Sequence, residues 1–187
     1  MLTKITNIKI SVNCSEVSLD TVKNKLTKRC INFQMQPNFV VFNSYNNFFY
    51  TIFRSKKETL NHINITGIKT FDGILLSINL LKSIKIVKLK QKTIRIDNIT
   101  GSLDIEKEVF LKDLITKTQL CKSLLYDITI KYNNETFPGA FFRVKERGEK
   151  IGTINIFTSG KAVFVGCREL KNIECLESLI LALTCLS

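Results

Sequence analysis

The 187-residue chain lacks several features that are typical of enzymes and membrane proteins. It has a single histidine, His62, which has no partner for a catalytic triad or metal site and is expected to lie in a hairpin. The six cysteines form no C-x-x-C pair, and there is no glycine-rich phosphate loop. No apolar run approaches roughly 18 residues, and the N-terminal segment does not resemble a signal peptide. We therefore expect no enzyme activity, cofactor, metal or membrane span, and reduced, mostly buried cysteines in an intracellular protein.

Acidic residues are also scarce. The chain has 16 Asp and Glu against 28 Lys and Arg, which gives a net charge of +12 at pH 7. Residues 1–91 contain 14 basic and 4 acidic residues, whereas residues 92–187 contain 14 and 12. Such a charge favours an anionic partner, either nucleic acid or an acidic membrane surface. The N-terminal half should contribute more of any general attraction to phosphate.

The two halves of the sequence repeat the same patterns in the same order. Matching places, 91 to 104 positions apart, are held by Asn7 and Asn98, Phe39 and Phe137, Phe53 and Phe157, and Gly67 and Gly166. A period this long does not fit a solenoid and indicates duplication of a half-domain of about ninety residues. We predict two repeats, residues 1–91 and 92–187, within one intimately joined domain.

Each half predicts the same series of elements. The predicted strands at 4–12 and 93–100 precede helices near 18–30 and 108–122, then three or four strands ending at 69 and 168, and helices at 70–84 and 169–184. In the segment from Ile154 to Phe164, alternate apolar residues are expected under the helices. The other face mixes amide, cationic and apolar side chains, among them Asn155, Phe157 and Lys161. An open sheet face of this kind predicts a binding surface.

The segments "ETFPGAFFRV" and "INIFTSGKAVFVGCR" resemble the C-terminal repeat of the TATA-box-binding protein family core. The resemblance extends over almost the whole chain, although the first repeat is diverged. It implies an α+β fold: a pseudo-symmetric saddle with a curved ten-stranded antiparallel sheet and four helices on the convex face. It also implies a factor that binds A/T-rich, TATA-like promoter DNA in the minor groove and bends it, with transcription factors IIB and IIA and an RNA polymerase as partners.

The resemblance assigns a role to each candidate site residue. The implied intercalating residues are Phe39, Phe53, Phe137 and Phe157; the implied minor-groove contacts are Asn7, Lys9, Asn98, Thr100, Thr66, Val163 and Val165; the implied phosphate contacts are Arg54, Lys56, Lys57, Arg143 and Lys161. Glu135 matches an acidic residue that implies contact with transcription factor IIB. The implied location is the nucleus, or a viral replication compartment for a viral protein.

The chain also departs from the family pattern. Val165 stands where a threonine is usual, Lys9 and Thr100 replace groove-facing valines, and Asn133 replaces an acidic residue. Phe42 rivals Phe39 as a wedge, and Phe48 or Phe49 rivals Phe53. Two further functions stay open: a diverged paralogue that serves as a protein-interaction platform without TATA specificity, and a substrate-binding module for a nucleic-acid enzyme.

Overall fold

The computed structural model describes residues 2–15, 17–44, 46–54, 60–90, 94–120 and 126–185. Its strands form a ten-stranded sheet, and four helices accompany it. The chain divides into two compact units. The N-terminal unit is Asn7–Asp97, and the C-terminal unit combines Met1–Thr6 with Asn98–Ser187. The predicted repeat boundary at residues 91 and 92 stays a prediction, and both residues lie outside the described ranges.

The first half of the chain contains five strands and two helices. These are β1 (Lys4–Ser15), α1 (Leu19–Thr27), β2 (Phe33–Gln36), β3 (Phe39–Asn43), β4 (Phe49–Phe53), β5 (Leu60–Ile68) and α2 (Phe71–Ser83). The strands lie in the order β2-β3-β4-β5-β1, with antiparallel neighbours. Ser18 and Thr70 begin the two helices, because each side chain accepts a hydrogen bond from a backbone N–H three residues on.

The second half repeats this topology. Its elements are β6 (Arg95–Asp104), α3 (Leu111–Leu120), β7 (Tyr126–Tyr132), β8 (Gly139–Glu146), β9 (Glu149–Phe157), β10 (Lys161–Cys167) and α4 (Leu170–Cys185). Read from the outer strand, the order is β7-β8-β9-β10-β6, which matches β2-β3-β4-β5-β1 of the first half. The predicted α+β class, with a ten-stranded antiparallel sheet and four helices, is confirmed.

Alternation along the strands separates a core face from an open face in each unit. Ile154, Ile156, Ala162 and Phe164 have no exposed surface, and α4 packs on their strands, as the sequence predicts. The intervening side chains, among them Asn155, Phe157 and Val163, are only partly buried. In the N-terminal unit, Val40, Ile52 and Ile63 are likewise buried, between half-buried neighbours on the same strands. We call the partly buried side of each sheet its open face.

Several sequence expectations need correction. The helices α1 and α3 are shorter than predicted. After α1, Cys30 turns the chain with a φ of 56°. Before α3, Val109 N donates to Thr158 O in the β9–β10 turn, so the helix begins only at Leu111. His62, by contrast, lies in a hairpin as expected, on β5 opposite Phe53 on β4. Among the five described cysteines, only Cys14 and Cys167 are buried, whereas Cys30 and Cys185 are exposed.

Candidate nucleic-acid interface

Two phenylalanines lie side by side at one end of the β3–β4 ladder. Phe39 and Phe53 are direct cross-strand partners, with ring centroids 5.7 Å apart and planes at 46°. Both rings are half-buried. Arg54 N donates to Asn38 O at 2.9 Å beyond the pair, which ties the strand ends together. Phe53 also faces His62, at a centroid distance of 6.5 Å. The N-terminal unit therefore presents a rigid aromatic pair at a strand end.

The C-terminal unit carries a corresponding pair. The ring centroids of Phe137 and Phe157 are 5.5 Å apart with planes at 53°, and both rings are half-buried. Phe141 supports Phe137 at 4.6 Å. Gly139 lies opposite Phe157, and a Cβ there would come within 2.9 Å of the Phe137 ring and 3.1 Å of the Phe157 ring. A glycine is therefore needed below the two rings, where any side chain would displace them.

The rival aromatic residues differ in position from the predicted wedges. Phe42 and Phe48 are 2% and 6% exposed, so both belong to the core. Phe42 stacks on Tyr50, whose hydroxyl donates to Ser77 O at 2.9 Å. Phe49 is 46% exposed and lies opposite Thr66 on β5. Of the three rivals, Phe49 alone has a ring that is accessible for a ligand.

Asn7 and Asn98 each close a β-bulge. On β5, Thr66 and Gly67 lie opposite the single residue Lys9, and on β10, Val165 and Gly166 lie opposite Thr100. The two glycines have φ of +83° and +80°, which residues with a side chain rarely adopt. Gly67 N donates to Asn7 Oδ1 at 2.8 Å, and Gly166 N donates to Asn98 Oδ1 at 2.6 Å. Each asparagine thus satisfies a backbone N–H that the bulge removes from the ladder.

This arrangement fixes what the two amides can still offer. Each oxygen already accepts a hydrogen bond from a glycine N–H, which fixes the orientation of the amide and of its NH₂ donors. Asn98 Nδ2 donates one hydrogen to Thr100 Oγ1 at 3.0 Å and retains a second. Each bulge therefore presents an amide donor that suits a ligand surface with hydrogen-bond acceptors.

An ion cluster beside Lys9 was not foreseen from the sequence. Asp97 Oδ1 accepts from Arg95 Nε at 2.8 Å and from Ser11 Oγ at 3.1 Å, and Lys9 Nζ lies 3.9 Å from Asp97 Oδ2. The Asp97 side chain is 17% exposed and that of Lys9 37%. Asp97 therefore offsets part of the positive charge that Lys9 would otherwise bring to the open face.

The predicted phosphate-binding cations occupy exposed positions. Arg143 lines a hollow of about 230 Å³ on the open face together with Thr129, Lys131, Phe141 and Thr153. Lys131 is a further cation that the sequence analysis missed, although its alternate position on β7 marks it as outward-facing. Arg54 and Lys161 are exposed at strand ends, whereas Lys56 and Lys57 lie outside the described residues.

The predicted partner residue Glu135 stands in an exposed turn between β7 and β8. Asn133 organises this turn: its Oδ1 accepts from Glu135 N at 3.0 Å, and its backbone oxygen accepts from Phe137 N at 3.0 Å. The residue that replaces a family acidic position therefore shapes the turn through its amide. It holds Glu135 and Phe137 in fixed relation.

The open faces carry two more amides that the sequence analysis did not assign to the site. Asn64 on β5 and Asn155 on β9 are half-buried, and each Oδ1 is shielded from solvent. Of the minor-groove candidates, Val163 lies opposite Asn155 and Val165 opposite Thr153. Both valines are half-buried and supply apolar contact area without polar groups.

The titratable groups with displaced pKa values lie away from the open faces. Burial raises the pKa of the Cys14 thiol to about 11 and that of Cys167 to about 12. A hydrogen bond with Cys175, at 2.8 Å, is the main cause that raises the pKa of Tyr126 to about 12. Within the described ranges, no cluster of His, Cys, Asp and Glu is arranged to hold a metal ion, and no helix is long and apolar enough to cross a membrane.

Comparison with known proteins identifies one family and one fold that the chain resembles. The sequence model for "Transcription factor TFIID (or TATA-binding protein, TBP)" matches residues 93–180. The structure aligns with Methanococcus jannaschii TBP at a TM-score of 0.68 and 22% sequence identity, covering 96% of this chain and 95% of that chain.

The C-terminal half of the chain thus resembles the TATA-binding protein family in sequence, and almost the whole chain resembles a TATA-binding protein in fold. The fold and the family resemblance that the sequence indicates are confirmed. TBP-family proteins are transcription factors rather than enzymes. No curated protein sequence matches the chain. The segment that matches the TBP family model contains Asn98, Phe137, Phe157 and the β9–β10 turn.

Proposed function

We propose that the protein is a general transcription initiation factor that binds A/T-rich, TATA-like promoter DNA in the minor groove and bends it. The observation that carries this proposal is the half-buried phenylalanine pair in each unit, Phe39 with Phe53 and Phe137 with Phe157. Side chains inserted between base steps unstack them and kink the duplex, a mode of binding for which TATA-binding proteins are a standard example. The cost, a few kcal/mol per step, is offset by the larger protein surface that bent DNA contacts.

Base recognition is proposed to centre on Asn7 and Asn98. With their oxygens held by glycine N–H groups, the amides present donors. In the minor groove an A·T pair displays only the acceptors adenine N3 and thymine O2, whereas a G·C pair adds an amino donor. The amides therefore favour A·T pairs. Thr66, Thr100, Val163, Val165 and Lys9 are proposed to complete the contact surface around them.

Phosphate contacts are proposed for Arg54, Arg143 and Lys161, and for Lys56 and Lys57, which lie outside the described residues. Such contacts set affinity and its dependence on salt, but they carry no sequence information.

Assembly of a pre-initiation complex is the proposed consequence of binding. The exposed Glu135, held by the Asn133 turn, is proposed to contact a transcription factor IIB-like protein. A transcription factor IIA-like protein and an RNA polymerase are proposed as further partners. The proposed location is the nucleus, or a viral replication compartment if the protein is viral.

Binding and bending of end-labelled duplexes test this proposal. We expect tight binding and high energy transfer between the ends of a TATA duplex, and weaker binding to a duplex with G·C pairs at its centre. The double variant Phe137→Ala, Phe157→Ala should lose most of the energy transfer, because no rings remain to unstack the base step in that half.

Phe71→Ala is the matched control, since Phe71 is a 41% exposed phenylalanine on α2 rather than on the open face. It should leave bending unchanged. An undiminished bend in the double variant would defeat the wedge assignment.

One observation favours the alternative of a protein-interaction platform. The helix α2 exposes three large apolar side chains, with Phe71 at 41%, Leu75 at 64% and Leu76 at 46%. Apolar groups gathered on one helix are typical of a protein-binding surface. Equal binding of the TATA duplex and the G·C duplex would favour this alternative over sequence-specific promoter recognition.

A further inference from the structure

The two amides on the open faces differ from Asn7 and Asn98 in the state of their oxygens. No donor within the described ranges bonds to Asn64 Oδ1 or Asn155 Oδ1, and both atoms are shielded from solvent. Buried side-chain oxygens are nearly always hydrogen-bonded in folded proteins. Two such exceptions on a proposed ligand surface call for a donor that the protein itself does not provide.

The neighbours of these amides explain why their oxygens are unpaired. Asn155 lies between Phe141 on β8 and Val163 on β10, whose side chains have no hydrogen-bond donors. Asn64 lies between Ser11 on β1, whose hydroxyl already donates to Asp97 Oδ1 at 3.1 Å, and Thr51 on β4, whose hydroxyl does not bond to Asn64 Oδ1. Asn155 thus has only apolar cross-strand neighbours, and neither hydroxyl beside Asn64 bonds to its oxygen.

The DNA minor groove contains only one kind of base donor. Its acceptors, adenine N3 and thymine O2, cannot bond to an amide oxygen, but the 2-amino group of guanine can. The terminal torsion of asparagine is broad, so an amide can turn its oxygen toward a ligand at little cost. A guanine amino group would then replace an unsatisfied acceptor by a hydrogen-bonded one, which is favourable.

We propose that Asn64 and Asn155 each accept a hydrogen bond from the 2-amino group of a guanine, so that the preferred DNA site contains one G·C pair opposite each amide within an A·T sequence. This inference rests on the proposed minor-groove function. Asn7 and Asn98 read the absence of the amino group, and Asn64 and Asn155 read its presence.

The internal repeat provides matched control residues. Gly67 and Gly166 are 99 positions apart, and the same spacing relates Asn64 to Val163 in the other repeat. Phe53 and Phe157 are 104 positions apart, and the same spacing relates Thr51 to Asn155. Each amide thus occurs in one repeat only, at a different place. A site with G·C pairs at non-equivalent places is asymmetric, which gives the protein a preferred direction on DNA.

A scan with a modified base isolates the amino group from all other features of a G·C pair. In an A·T duplex, 2,6-diaminopurine is substituted for adenine at one position at a time, on either strand. We expect one position in each half where the added amino group increases affinity about threefold to tenfold, the effect of one net hydrogen bond. Positions facing Asn7 and Asn98 should lose affinity.

Two variants assign these gains to the amides. Asn64→Val should abolish the gain in one half alone, and Asn155→Thr should abolish the gain in the other half alone. Each variant places in one repeat the residue that the other repeat already carries, and urea unfolding verifies that both variants are folded.

The possible results separate the inference from the proposed function. Tight binding of the A·T duplex with no position of increased affinity would overturn the inference and leave the proposed function standing. A gain that persists in both variants would also overturn it. Failure of the wild-type protein to bind any of the duplexes would overturn both.

Discussion

At the scale of single residues, Asn98 has two separable duties. Its oxygen binds Gly166 N at 2.6 Å and maintains the bulge, while its nitrogen is proposed to read the DNA. The sequence placed Asn7 and Asn98 at matching positions of the repeat but did not indicate the bulge, because a bulge depends on how many residues of β10 lie opposite β6. The unpaired oxygens of Asn64 and Asn155 were hidden for the same reason, since they depend on cross-strand neighbours.

Substitutions at Asn98 separate these duties. Asn98→Ala should lower the free energy of unfolding by about 1–2 kcal/mol, because Gly166 N loses its acceptor. Asn98→Asp retains an acceptor for that N–H, so it should unfold close to the wild type in urea yet bind the TATA duplex weakly, having lost its donor and gained a negative charge. An Asp variant that bound as tightly as the wild type would exclude a base-reading role for this residue.

At the scale of elements, apolar periodicity predicted most of the architecture. The stripe in Leu170–Cys185 and the alternation in β9 and β10 placed α4 over Ile154 and Phe164, and burial confirms both. The tie between the start of the chain and α4 could not be foreseen. Leu2 N donates to Glu177 Oε1 at 2.6 Å and Thr3 N to Glu177 Oε2 at 3.1 Å, across a sequence separation of about 175 residues. No local pattern predicts such a contact.

Glu177 should make stability depend on pH. Burial alone would raise the pKa of this carboxylate, which is 7% exposed, but the hydrogen bonds from Leu2 and Thr3 lower the pKa overall. Because the pKa of Glu177 is lower in the folded than in the unfolded protein, its ionised form stabilises the fold. This stabilisation is present above the ordinary glutamate pKa of about 4.3 and is lost as pH falls through the pKa of Glu177 in the folded protein.

Glu177→Gln should therefore lower the free energy of unfolding by about 1–2 kcal/mol at pH 7, with a smaller difference from wild type below about pH 4. Urea titrations at several pH values measure this. Glu174→Gln, an exposed change on the same helix, is the control and should have little effect. A difference that stays constant with pH would show that the charge of Glu177 has no part in the tie.

At the scale of the whole molecule, the net charge of +12 predicts DNA binding that weakens steeply with salt. Replacing Arg143 by Ala should weaken binding to all duplexes alike and reduce the slope of log affinity against log salt by about one. Lys171→Ala removes another exposed charge, which lies on α4 and pairs with Glu169 at 2.9 Å, and it should leave the slope unchanged. Titration at several potassium chloride concentrations distinguishes these outcomes, and an unchanged slope for Arg143→Ala would remove Arg143 from the set of phosphate contacts.

The composition of the C-terminal unit has a practical consequence for anyone who wishes to study the two halves separately. That unit takes in Met1–Thr6 as well as Asn98–Ser187. A fragment starting near residue 98 would leave Glu177 without the backbone N–H groups of Leu2 and Thr3 that it binds. It would also uncover Gly101, against which Thr3 packs: a Cβ on Gly101 would lie 2.6 Å from the Thr3 methyl carbon. Dividing the chain near its midpoint therefore yields an incomplete C-terminal unit, and supplying the first six residues as a separate peptide is the direct way to restore it.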